Sequence, residues 1–574
     1  MNRFRAGLAG AALASLIAAQ GALAAEPLRL TQPIQATKND IDPQRTYSAP
    51  HLVVDPSNPL HIIGGFGEMR TKTCGIMRST DGGQNWKVTR SGALPNPTSH
   101  RFCLANNSNI FQANMAFGRD GRLYMAMLGW DEADTRNMAS VAMARSDDLG
   151  ESWAVQTVVR DARPGNDERR ENNRPVGGIV VDAKSGSDDI VYVIYQRSLT
   201  GTTFTPGNAE PQQPMMAVST DGGRTFREPV SVVGNLYENQ AVRQSAFATA
   251  TTTTIAGQTP ATTTTAPAGT KGAAPDQVAN FGGGSPDVTM AGDGTVYVAY
   301  RSAFANLTAN PSAAVFVSKI TNGGQTITPY IVSSFSRNNR ANIRLAWSTE
   351  GGSQGTLHLV HETSDRPEVA AFANITYRRS TDAGATWTEP RILTDDNAAA
   401  LQPKYIPDVA IAPNGRVDVV WWDTRNDFGI VGNDVYYTYS TDNGANWSEN
   451  QRISDKIIDR KLGVWAYNFD QNSPPGLAST NDLAVIAWDD TRNSDVANPV
   501  NAGIGGGVQD IYTSVVQHAE IGAGGSNAVK YLLGGVLGLL AVGLVLLLVT
   551  SITRGRTGAG PSARSDSREA AGIR

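Results

Sequence analysis

The sequence predicts an all-β, seven-bladed β-propeller followed by one C-terminal transmembrane helix. Three observations predict it. A turn of pattern Ser-x-Asp-x-Gly-x-x-Trp recurs along the chain. Short β-branched and aromatic runs recur with it in sets that suit four-stranded sheets. One uncharged segment long enough to cross a bilayer follows the last set.

The turn first occurs as Ser79-Thr80-Asp81-Gly82-Gly83-Gln84-Asn85-Trp86. Its aspartates are Asp81, Asp148, Asp221, Asp382 and Asp442, and a worn copy carries Asn322 instead. The six positions follow one another at 67, 73, 101, 60 and 60 residues. An Asp that accepts nearby backbone N–H groups and a Gly free to take φ > 0 build a tight turn. The aromatic residue opening the next strand buries its ring beside that turn. This is the Asp-box, and through it the chain resembles the sialidase-like (BNR-repeat) β-propeller proteins. The resemblance spans about residues 27–517 and implies a scaffold role for the box itself.

Residues 1–25 read as a cleaved secretory signal. Arg3 and Arg5 precede an Ala-rich apolar run and the small-residue pattern Ala22-Leu23-Ala24; an N-terminal anchor is the alternative. The propeller is expected over 26–519. In each repeat an inner strand turns into a second strand, as at 123–128, 190–195, 296–300 and 417–422. A loop and a third strand follow, and the box turns the chain into an outer fourth strand. Six boxes alone would give six blades, the alternative count. Yet Leu483-Ala484-Val485-Ile486-Ala487-Trp488 and Asp510-Ile511-Tyr512-Thr513-Ser514-Val515 form a second and third strand with no box after them. Pro27-Leu28-Arg29-Leu30-Thr31 resembles the outer strands, and supplying it to that last blade closes a ring of seven and removes open edges. The interval of 101 holds a Thr/Ala/Pro/Gly-rich loop insertion at 246–277, whose composition cannot build a core. Residues 520–530 read as a flexible linker and 531–553 as the membrane helix, since 23 residues at about 1.5 Å each span the hydrocarbon core. Arg554 and Arg556 then assign 554–574 to the cytoplasm and the propeller to the extracytoplasmic side of a single-pass membrane protein.

A formal net charge of −4 argues against a nucleic-acid partner. No metal-ligand spacing and no cofactor-binding motif is found. Cys74 and Cys103 are the two cysteines, and in an exported domain they can form one disulfide, with two buried thiols as the alternative.

Because the boxes mark one rim as scaffold, a site is expected on the opposite rim. Two near-copies leave second strands there: Trp421-Trp422-Asp423-Thr424-Arg425-Asn426-Asp427 and Trp488-Asp489-Asp490-Thr491-Arg492-Asn493. Arg301 and Arg197 leave the second strands of blades four and three at comparable places, as does Glu68 with Arg70 in blade one. The blade connections add Arg45, Tyr47, Arg101, Arg174, Arg344, Tyr405 and Tyr467. Arginine forks round a propeller mouth suit an anionic sugar or another carboxylate. The alternative is that each Asp-x-Arg pair braces its own loop. The resemblance further implies three arginines on a substrate carboxylate, a Tyr nucleophile with a Glu, and an Asp acid/base. The family's Phe-Arg-Ile-Pro string is met here only by Lys404-Tyr405-Ile406-Pro407, a departure at its arginine. The candidate catalytic set is therefore Asp423, Asp490 and Tyr405, and the candidate ligand set Arg45, Arg301, Arg425 and Arg492. Two functions follow as expectations: a membrane-anchored glycoside hydrolase of exo-sialidase type, or a non-catalytic adhesion module binding a glycan or a cell-surface protein.

Overall fold

The computed structural model describes residues 28–518 except 40–44, 69–72, 90–99, 106–108, 111–112, 132–138, 160–169, 185, 201–212, 234–278, 281–285, 305–312, 336–341, 352–353, 364–373, 397–401, 428, 430, 464–472 and 495–507. The predicted signal, low-complexity insertion, linker, membrane helix and tail all lie outside the described residues. Among the described residues no helix is long and apolar enough to cross a membrane.

Seven antiparallel sheets of four or five strands form the fold. Their inner strands are Tyr47–Asp55, Asn114–Phe117, Arg170–Asp182, Asp287–Met290, Ile343–Ser348, Lys404–Ile411 and Gly476–Ser479, for blades one to seven. Each inner strand touches the next, and the seventh touches the first, so they close round a central axis. Blade six shows the pattern, with Lys404–Ile411, Val417–Asp423, Gly432–Ser440 and Gln451–Arg452 in order outward from the axis.

Blade seven draws its outer strand from the other end of the chain. Arg29 pairs with Gln517 and Leu30 with Val516, and Ile34–Gln35 adds a second contact to the same strand. Seven blades is therefore the count. The six boxes undercount because the seventh blade is joined by pairing and not by a turn.

Each blade is apolar on both faces, and every interface holds its own buried cluster. The repeated turn works at these interfaces. At Asp442, Oδ1 accepts Ser440 Oγ at 2.8 Å and the Asn446 N–H at 2.7 Å, while the Gly444 N–H donates to Ser440 Oγ at 2.9 Å. The same bonds recur at Asp81, Asp148, Asp221 and Asp382. The turn's aromatic then packs on the preceding blade. Trp86 lies in the cluster shared with blade seven and donates to Thr513 Oγ1 at 2.9 Å; Trp447 stands edge-on to Tyr377 of blade five, 4.8 Å between centroids. In the worn copy Asn322 reaches only Thr326 Oγ1, at 3.1 Å, and a ten-residue outer strand, Thr326–Phe335, gives that blade a longer ladder.

Cys74, in the third strand of blade one, and Cys103, ahead of the inner strand of blade two, are joined by a disulfide with Cα atoms 5.3 Å apart. Closing 29 residues of separation, it restricts the unfolded chain, and Cys103→Ser is expected to lower unfolding free energy by about 2–4 kcal/mol in urea titration. At Gly444, φ is 79° and an added Cβ would collide with the Tyr377 hydroxyl. Gly444→Ala is expected to lose about 1–3 kcal/mol in the same measurement, from left-handed strain and displaced Tyr377.

Candidate functional site

The twin Asp-Thr-Arg-Asn loops take their geometry from the strands that launch them. Asp423 ends the second strand of blade six with no exposure, and its Oδ2 accepts Trp421 Nε1 at 2.9 Å and Arg425 Nη2 at 2.8 Å. Arg425 continues to Asp395 Oδ1 of the preceding blade at 2.8 Å and lies 4.1 Å over the Tyr436 ring. In blade seven, Asp490 accepts Trp488 Nε1 at 3.0 Å and Arg492 Nη2 at 2.7 Å, while Arg492 pairs with Asp455 at 2.7 Å and covers Tyr512 at 4.1 Å. The asparagines complete the copies: Asn426 donates to Asp434 at 2.8 Å and Asn493 to Asp510 at 2.8 Å. These loops are ties between neighbouring blades. Their carboxylates and guanidinium groups already hold charged partners, which is the bracing alternative that the sequence left open.

Arg45 is occupied in the same sense, with Nε 2.7 Å and Nη2 3.2 Å from the two oxygens of Asp510. Arg301 is 4% exposed, and strand alternation puts it with Tyr297 and Ala299 on the side facing blade five. Tyr405 is buried in the core between blades six and seven, with the Arg460 guanidinium 5.6 Å from its ring centroid. Of the predicted residues, Arg45 and the Asp490–Arg492 loop meet on blade seven, where Asp510 holds both Arg45 and Asn493, while Asp423 and Arg425 belong to blade six and Arg301 to blade four. The side chains of Arg70, Arg101, Arg174, Arg197 and Tyr467 lie outside the described residues.

A different group does converge, on the axis. Asp287 opens the inner strand of blade four, Arg344 is second in that of blade five, and Asp408 lies in that of blade six. Arg344 Nε is 3.7 Å from Asp408 Oδ1, and these side chains are 12% and 15% exposed. Asp287 Oδ2 accepts the Leu345 N–H at 2.6 Å, which holds it against the arginine's strand. His51 lies on the inner strand of blade one across the ring, where its Nδ1 accepts the Met115 N–H at 3.3 Å.

Two matching kinks aim these residues. The chain takes positive φ at Ala49 (60°) and Ile406 (49°), each followed by a proline, and the ladder slips there. A β-branched residue in this region is costly and needs an outside hold. The preceding blade provides it: Asp489 Oδ1 accepts the Ala49 N–H at 3.0 Å, and Glu362 Oε1 accepts the Ile406 N–H. Bulges of this kind re-aim side chains, and two residues on stand His51 and Asp408. The sequence does carry a signal for this cluster, since Pro50-His51, Pro286-Asp287 and Pro407-Asp408 all fall in or at the start of inner strands.

Burial sets the protonation of the group. It pushes the Asp287 carboxyl up to about 6 against the pull of Arg344. It pushes Asp408 up to about 7, where Arg344 opposes the rise and the nearby Asp287 adds to it. Burial, helped by the Arg344 charge, lowers His51 to about 4 and keeps it neutral near pH 7. Among the described residues no cluster of His, Cys, Asp and Glu could hold a metal ion.

No protein-family model matches this chain, and no curated protein matches it. Among solved structures it is similar to a protein of unknown function from Dyadobacter fermentans, at 11% identity and TM-score 0.40 over 86% of this chain and 99% of that one. It is also similar to an α-L-arabinofuranosidase of Fusarium graminearum, at 12% identity and TM-score 0.39 over 72% and 98%. A third is the endosialidase of phage phi92, at 11% identity and TM-score 0.39 over 86% and 70%.

The axial carboxyls and the blade ties respond to substitution in opposite ways. A carboxyl with a raised pKa keeps its proton in the folded state after the unfolded chain has lost it, so stability falls as pH rises from about 4 to about 7. Asp408→Asn is therefore expected to match the parent near pH 4 and to melt higher at pH 8, by scanning calorimetry. Asp423→Ala is expected to cost about 3–5 kcal/mol at either pH, because it leaves Trp421 Nε1 and the buried side of the Arg425 guanidinium without their acceptor.

Proposed function

We propose that this protein is an exported, membrane-anchored glycoside hydrolase of sialidase-like architecture, with Asp287 and Asp408 as its acid/base pair. The observation that carries this reading is the pair itself: two carboxyls on inner strands flanking Arg344, one at about 6 and the other at about 7. Glycoside hydrolysis needs one carboxyl that still holds a proton at neutral pH and one that does not. Asp408, the weaker acid, delivers its proton to the glycosidic oxygen as the bond to the anomeric carbon breaks. Asp287, ionised, takes a proton from the water whose oxygen joins that carbon. The alcohol leaves with the proton of Asp408, and a proton passes back to restore the pair. Asp423, Asp490 and Tyr405 enter this scheme as supports of blades six and seven.

Export and anchoring rest on the 1–25 and 531–553 readings, and the Cys74–Cys103 bond supports an oxidising compartment. A second reading, a non-catalytic glycan- or protein-binding module, is favoured by one observation. Arg45, Arg425 and Arg492, the arginines expected to grip a substrate carboxylate, are held by Asp510, Asp423 and Asp490.

Turnover of a panel of fluorogenic glycosides and polysaccharides by the purified full-length protein decides between the two. The hydrolase reading expects a bell-shaped profile centred between pH 6 and 7. It also expects a loss of about 100-fold or more in kcat for both Asp287→Asn and Asp408→Asn. Binding without cleavage of any member of the panel would leave the module reading.

A further inference from the structure

We infer that the sugar taken at the propeller axis is uncharged, with Arg344 serving as the internal counter-ion of Asp287 and Asp408 and not as a clamp for a substrate carboxylate. This deepens the hydrolase reading and rests on it. Arg344 is already committed on two sides, since Nη1 donates to the Ile343 carbonyl at 3.0 Å and Nε faces Asp408 Oδ1 at 3.7 Å. Asp287 is tied to the same strand through the Leu345 N–H at 2.6 Å. A substrate carboxylate would therefore meet one guanidinium whose charge the ionised Asp287 already offsets, and like charges at such range repel.

Among the described residues, the following groups near Arg344 are neutral or already paired and do not offset that repulsion. His51, facing from blade one, is neutral near pH 7. Lys404, at the head of the same strand as Asp408, is buried in an ion pair with Asp396. Glu362 of blade five is held by Asn342 Nδ2 at 2.7 Å and by the Ile406 N–H. Arg425 and Arg492 face Asp395 and Asp455 of their neighbouring blades. These groups, taken with Arg344, thus offer hydrogen bonds to hydroxyl groups and a net charge that is zero or negative. A neutral pentose or hexose fits that chemistry, and a sialic or uronic acid does not.

Two measurements test this on the full-length protein. The first compares kcat/KM for methylumbelliferyl glycosides of neutral pentoses and hexoses with those of sialic and glucuronic acid. A neutral sugar is expected to lead by at least about 100-fold; an acidic sugar cleaved equally well or better overturns the inference and leaves the hydrolase reading standing. If nothing is cleaved, the hydrolase reading falls, and binding to an array of neutral and sialylated glycans decides the rest. Sialylated glycans retained preferentially, or no glycan retained at all, overturn the inference.

The second measurement is the pH–rate profile and KM of Arg344→Gln, with Arg344→Lys as the conservative variant. Loss of a counter-ion raises both carboxyl pKa values, so the profile is expected to move up by about one pH unit with KM little changed, and lysine is expected to restore it. A higher KM with an unmoved profile would assign Arg344 to the substrate and overturn the inference.

Discussion

The whole structure depends on the fact that none of these sheets can be covered by itself. Every blade is apolar on both faces, and each buried cluster draws its members from two blades. A sheet of this kind must lie between two others, and the last must find the first. The axial site is a by-product of that requirement. Bringing seven inner strands round one axis places residues far apart in the chain within reach of one another.

Many contacts between blades run back to the preceding blade. The aromatic residue of a turn packs on the blade before it, as Trp86 does on blade seven and Trp447 on blade five. Arg425 and Arg492 reach back in the same sense, to Asp395 and Asp455. The kinked backbones at Ala49 and Ile406 are held by Asp489 and Glu362, again from the preceding blade. Other arginines reach forward: Arg416 binds its own Asp418 at 2.8 Å and the Thr480 and Leu483 carbonyls of blade seven, Arg379 of blade five reaches the Asn443 carbonyl of blade six, and Arg122 of blade two reaches Asp188 of blade three. Blades five, six and seven are thereby locked in both directions, and two of them contribute Arg344 and Asp408 to the axis.

How much was legible in the sequence followed from how local each interaction is. The Ser-Asp-Gly-aromatic turn closes its hydrogen bonds within four or five residues, so its spacing and chemistry stand in the sequence together. The outer strand at 27–31 was legible because it repeats the composition of other outer strands and the seventh blade lacked one. The Asp423–Arg425 and Asp490–Arg492 pairs were visible as pairs, but their role was not. It is fixed by Asp395 and Asp455, about thirty-odd residues upstream, and a brace and a clamp look alike until the third partner is known. The axial group was missed for a stronger form of the same reason. His51, Asp287, Arg344 and Asp408 have no fixed spacing and meet only through ring closure, and the repeated proline before three of them was the one local trace.

The pairing of Leu30 with Val516 has a consequence for how the protein is made. Thr31 and Ser514, hydrogen-bonded at 2.8 Å, are 483 residues apart, so the propeller strand synthesised first among those described is paired last. Until nearly the entire propeller has been delivered, that strand has no partner and blade seven keeps an open edge beside blade one. Assembly is then gated by the arrival of the C-terminal end, and the unclosed ring is the stage at which a protective chaperone would be needed.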